Sequence, residues 1–168
     1  LPFVVTAHVD HHGQPWAGLV TGKPGVIQIT SNGVARIQRG ATKILTALDA
    51  SAGAAVGLLG IDFDQKRRNR INGTVQSVAA DHIALSIDQG YGNCPKYITQ
   101  RPWESDLFTG KYVMTSEIHL PAFATEMIRN ADTFFIASSS GPHAEQGEVQ
   151  AGAWGADISH RGGPPGFL

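Results

Sequence analysis

Phe3-Val4-Val5-Thr6-Ala7-His8-Val9, Asp10-His11-His12-Gly13-Gln14-Pro15 and Trp16-Ala17-Gly18-Leu19-Val20-Thr21 follow one another near the start of the chain. The first run is apolar and β-branched, a composition that suits a pleated, half-buried surface. The second collects Asp, Gly and Pro, which set turn geometry, and the third returns to strand composition. The three together predict a β-hairpin. The same punctuation recurs downstream, where residues 26–30, 34–38, 55–61, 71–79, 82–88 and 133–138 read as short strands bounded by Gly, Asn or Asp. Helical spacing is confined to 41–50, with Ile44, Leu45 and Leu48, and to 121–131, where Pro121 suits a first turn and Phe123 and Met127 share a face. The fold class that follows is mainly β with minor α, a barrel or sandwich rather than a βαβ sheet.

The chain has 168 residues and 20 glycines, well above the usual ~7%. Its length predicts a single domain over residues 1–168. Thirteen Lys and Arg balance fourteen Asp and Glu, which removes the global electrostatic case for a nucleic acid or an anionic membrane as partner. No run approaches the ~20 apolar residues of a membrane span, and no signal peptide is legible. One cysteine, Cys94, forms no internal disulfide, so a reducing, cytoplasmic setting is expected, and the triplet Asn72-Gly73-Thr74 carries no weight as a glycosylation site. A start at Leu1 without Met and a stop at Leu168 suggest part of a longer parent chain. Phe135-Ile136-Ala137-Ser138 and the segment from Gly155 to Phe167 echo the first hairpin. That echo predicts a second half-repeat starting near residue 132, with a longer loop through 141–152, and truncated at 168.

Chemistry concentrates in two places. Lys66-Arg67-Arg68-Asn69-Arg70 packs four cations into five positions, and like charges so close call for an anion. A phosphate suits arginine, whose planar fork gives paired donors; the structural alternative is a solvated turn between strands. Ser159-His160-Arg161-Gly162-Gly163-Pro164-Pro165-Gly166 joins hydroxyl, imidazole and guanidinium to glycines that admit a ligand near the backbone. This reads as an anion-binding turn, with a plain proline-stiffened turn as its alternative. A hydrolase built from Asp157, Ser159 and His160 fails because neighbours on a strand point to alternate faces, and no nucleophile elbow is present. His8, Asp10 and His12 would form a metal site only if strand register ran through Asp10, where the turn begins; a hairpin tip is the expected reading. Cys94 has no histidine nearby to activate it, so a buried, small apolar role is expected. Neither a dinucleotide fingerprint nor a phosphate-binding loop occurs.

Three segments in order then carry a resemblance: Gly57-Leu58-Leu59-Gly60-Ile61-Asp62-Phe63 running into Arg67–Gly73, Tyr91-Gly92-Asn93-Cys94-Pro95-Lys96-Tyr97-Ile98 with Arg101, and Phe134–Ser138 leading to Asp157–Phe167. Together they resemble the pyridoxamine 5′-phosphate oxidase-like flavin-binding split barrels. The resemblance implies a Greek-key-like split β-barrel that binds FMN where two barrels meet in a homodimer. It assigns the flavin phosphate to Arg67, Arg68 and Arg70 and to Ser159, His160 and Arg161. It sets Leu19, Val20 and Thr21 beside the isoalloxazine ring and makes Lys96, Tyr97 and Arg101 further contacts. The expected activity is FMN-dependent oxidoreduction of an unidentified small substrate, vitamin B6 itself being disfavoured. The alternatives are a non-catalytic flavin or haem module of a larger electron-transfer system and a deazaflavin-using relative, since fold does not fix function.

Overall fold

The computed structural model describes residues 3–10, 12–22, 25–30, 32–39, 51–102, 118–140 and 155–168. The helix expected at 41–50 and the loop expected through 141–152 lie outside the described residues. β1 (Phe3–Val9) and β2 (Pro15–Thr21) form the expected antiparallel hairpin, with Phe3 opposite Thr21 and Val9 opposite Pro15. At its tip Asp10 Oδ1 accepts the backbone N–H of His12 and of Gln14, both at 2.9 Å, and Oδ2 accepts the indole N–H of Trp16 at 2.8 Å. Both oxygens of Asp10 are thus used in shaping the turn. Among the described residues no group of three or more His, Cys, Asp and Glu is arranged to hold a metal.

The hairpin belongs to a seven-stranded sheet with β3 (Ile27–Ile29), β4 (Val34–Gln38), β5 (Ala55–Asp62), β6 (Arg67–Val78) and β7 (His82–Asn93). The strand order is β2-β1-β5-β6-β7-β4-β3, and every pairing is antiparallel. One face carries a core that includes Val4, Val20, Ile37, Val56, Leu58, Val75, Ile83 and Leu85, drawn from strands across the sheet. Val20 comes from one edge strand, and Val26 of the same cluster precedes the other. Among the described residues no ladder joins β2 to β3, so the sheet is not closed.

The opposite face buries Phe3, Val5, Ala7, Leu59, Ile61 and Ile98 against Ala156 and Ile158. The last two belong to a separate hairpin, β8 (Thr133–Ser139) with β9 (Ala156–Gly162). β9 packs over β5 and β1 and reaches β6, while β8 lies toward β2. Gly57 on β5 makes the close approach possible: a Cβ there would stand 2.7 Å from the carbonyl oxygen of Ala156. α1 (Ala122–Asn130) follows Pro121, as the proline predicts, and buries none of its residues. No helix among the described residues is long and apolar enough to cross a membrane.

Two expectations about local structure change. The arginines do not sit in a turn: the turn is confined to residues 63–66, and Arg67 to Arg70 pair with Asp62 to Leu59 of β5. Ser159, His160 and Arg161 likewise lie within β9 and not in a turn. In both places polar composition imitates a loop, but the strand is held by its neighbours' backbone groups.

Candidate functional site

Residues Leu19, Val5, Leu59, Arg70 and Tyr91 lie opposite one another in successive strands and form one row across the sheet. Period-two alternation therefore sends Arg68 and Arg70 to the face covered by β8–β9, and Arg67 to the other. β9 alternates too, with Ala156, Ile158 and His160 buried and Asp157 and Ser159 half-buried. The hairpin and β6 meet through two arginine clusters.

Arg70 Nη1 donates to Asp157 Oδ2 at 2.7 Å, Arg70 Nη2 donates to Ser159 Oγ at 3.2 Å, and Nη1 also reaches the Tyr91 hydroxyl at 3.4 Å. The guanidinium lies 5.6 Å from the centroid of the Tyr91 ring. Asp157 neutralises this arginine within the chain. Arg68 has no such partner: Nη1 donates to His160 Nδ1 at 2.8 Å and stands 3.4 Å from the His160 carbonyl oxygen. Among the described residues no carboxylate forms an ion pair with it. Burial, and next the charge of Arg70, pull its pKa below the ordinary arginine value.

His160 is 2% exposed, with Phe63 and Phe135 edge-on to its ring. Burial, followed by the charges of Arg68, Arg101 and Arg161, lowers its pKa to about 4. The imidazole is neutral at physiological pH. Because Nδ1 accepts from Arg68, the ring hydrogen belongs on Nε2. That Nε2 and Arg68 Nε are buried without hydrogen-bond partners, as is the oxygen of Asn93, which lies opposite Arg68 on β7. Unpaired buried donors are uncommon because each costs the desolvation of its group.

Arg101, a further expected contact, is committed elsewhere. Its Nη2 donates to both carboxylate oxygens of Asp132 at 2.7 Å, and its guanidinium stands 5.2 Å from the Phe63 ring centroid. The Arg101 bond holds the Asp132 carboxyl below the usual range. Gln100 Nε2 donates to the Asp64 carbonyl at 2.8 Å and ties this segment to the β5–β6 turn. Lys96 Nζ sits 5.1 Å from the Tyr97 ring centroid, and Tyr97 is exposed with φ +74°. Cys94 is exposed, which corrects the buried role expected of it; Ile98, four residues on, takes the core position instead.

The structure thus gathers Arg68, Arg70, Ser159 and His160, with Lys96 and Tyr97 close by through the packing of Tyr97 on Gly162. Arg161 is exposed beside this group, and Arg67, also expected to join it, is exposed on the opposite face of the sheet. Leu19, Val20 and Thr21 are not part of this group. Val20 is wholly buried in the sheet's first core, and Leu19 is three strand spacings, about 14 Å, from Arg70, with β8–β9 between them. Asp157, Tyr91 and Asn93 join this group without being expected from the sequence. For Asp157 a signal exists, since it and Ser159 are two apart on a strand and share a face. No family model, curated protein or solved structure matches this chain.

Proposed function

We propose that the chain is an FMN-binding flavoprotein on a split-barrel scaffold and that it acts as a flavin-dependent oxidoreductase. The observation that carries this reading is the half-buried Arg68 guanidinium, which no carboxylate among the described residues neutralises and whose Nε, like the neighbouring His160 Nε2, has no hydrogen-bond partner. A phosphate at the accessible part of this guanidinium supplies the counter-charge that it lacks. The three segments that resemble the flavin-binding family also come together at this corner, through the contacts of Arg68 with His160, Arg70 with Tyr91 and Asp157, and Tyr97 with Gly162.

In this reading Arg68 grips the phosphate and His160, kept neutral, orients Arg68. Arg161 adds positive charge beside it, whereas Arg67 lies on the other face of the sheet. Arg70, already paired with Asp157, shapes the site and does not compete for the anion. When bound, the flavin supplies hydride acceptance and electron transfer, and the protein supplies orientation and electrostatics. His160 is not a general base, because Nδ1 is committed to Arg68 and Nε2 already holds its hydrogen.

A flavin held at Arg68 reaches Leu19 and Thr21 only from a second copy, since β8–β9 separates them within one chain, and Val20, wholly buried, is not a ring contact. The proposed working form is therefore a homodimer. Purified protein tests the reading: FMN should bind with a flavin absorption band, bleach with a reduced nicotinamide and recover in air. A chain that stays colourless with added FMN would refute it, whereas binding without bleaching would leave the non-catalytic module.

A further inference from the structure

α1 turns two of its large side chains away from the protein. Ala124 and Thr125 are half-buried and face inward, whereas Phe123 and Met127, four apart and so on one face, are exposed. Ile118 and Leu120 lead into the same helix and are exposed too, so that the four range from 66% to 95% exposed. At roughly 150–250 Å² for each large apolar side chain, they leave about 600 Å² open to water. That is the upper end for the largest apolar patch of a monomer, ~300–600 Å², and most of the ~800 Å² that each partner gives to a stable pair. The other exposed large apolar residues are scattered along the described chain.

Charge and position both favour a second copy as the occupant. Glu126 and Arg129, of opposite sign, flank the stripe, are exposed, and enter no ion pair among the described residues. A face that meets its own copy therefore sets no net like charge against itself. The helix is also tied to the corner that holds Arg68. It ends two residues before Asp132, whose partner Arg101 lies against the Phe63 ring, and Phe63 stands edge-on to His160. The Arg129 carbonyl oxygen lies 3.7 Å from where a Cβ on Gly166 would stand, which seats the end of the helix on the turn after β9.

We propose that Ile118, Leu120, Phe123 and Met127 form the surface on which a second copy of this chain docks, each copy offering the same face to the other across a twofold axis. The inference names the surface of the homodimer and rests on the flavin reading for the identity of the second molecule.

Sedimentation of the full chain without FMN, from low to high micromolar concentration, tests it. The native chain should pass from monomer to dimer over that range. Met127→Lys and Phe123→Glu each place a charge at an exposed position, so both should keep the native melting temperature while weakening pairing about thirtyfold or more, the scale of a residue central to an interface. Ile29→Lys replaces a comparably exposed apolar residue on the edge strand β3 and should leave pairing unchanged. Arg68→Gln should also pair as the native chain does, whatever becomes of FMN, so failure of the flavin reading and failure of this surface give different results. A native chain that stays monomeric throughout, pairing as tight in Met127→Lys and Phe123→Glu as in the native chain, or equal weakening by Ile29→Lys would overturn the proposal.

Discussion

Arg68 donates to Nδ1 of His160, and that bond settles which imidazole nitrogen carries hydrogen. The His160 pKa of about 4 lies below the ordinary 6.5, with burial as the larger cause and Arg68 next. Between those values the unfolded chain takes up a proton that the folded chain refuses. This residue's share of stability is therefore complete above pH 6.5 and declines as the pH falls toward 4. Urea unfolding at pH 7 and pH 4.5 should show a fall in midpoint that is smaller in His160→Gln. In a histidine NMR titration Arg68→Gln should raise the His160 pKa without restoring 6.5, because burial remains. At this scale the sequence was partly legible. Repeated cations call for a counter-charge, and Arg70 meets one in Asp157, but whether a given arginine meets a carboxylate depends on contacts some 90 residues away: Arg70 is separated from Asp157 by 87 positions and Arg68 from His160 by 92. Cys94 was misjudged for a similar reason, as its exposure depends on Ile98 filling the core and not on its own neighbours.

At the scale of elements, alternation and turn chemistry identified the β1–β2 hairpin and α1, where the pattern is local. They understated β6 and β7, which run on through Arg67 to Arg70 and through Gly90 to Asn93. Those extensions are polar or glycine-rich and persist because each pairs with a neighbouring strand and Arg68 and Arg70 bind β9. β9 is thus fastened to β6 by side chains. Asp157→Ala strips Arg70 of its counter-charge in a partly buried setting and should lower stability by about 2 kcal/mol. In a double-mutant cycle with Arg70→Met the two losses should fall well short of additive; full additivity would mean that the pair is not coupled. Gly162→Ala drives a methyl into the Tyr97 carbonyl and should cost about 2 kcal/mol or more in chemical unfolding, by overpacking and not by any effect on charge.

Across the whole molecule, composition and punctuation made the mainly β class readable, while strand order and curvature were not. The order β2-β1-β5-β6-β7-β4-β3 rests on pairings between strands far apart in sequence, such as β1 with β5 and β4 with β7. Both faces of the sheet are buried over β1, one in the first core and one under β8–β9, which explains why β1 reads as a continuous apolar run with little alternation. The β8–β9 hairpin also keeps Leu19 to Thr21 apart from the arginines. Sedimentation of the FMN-loaded protein should therefore report twice the mass of the 168-residue chain; a monomer that binds FMN would remove the second copy from the account.

The central claim is that Arg68 holds a phosphate, and the most direct measurement compares FMN with riboflavin, which lacks that group, in the native chain and in Arg68→Gln. The native chain should prefer FMN by about tenfold or more, the scale of a charge-assisted hydrogen bond to phosphate, and Arg68→Gln should erase most of that preference while changing riboflavin affinity little. Equal losses for the two ligands, or no preference in the native chain, would contradict it.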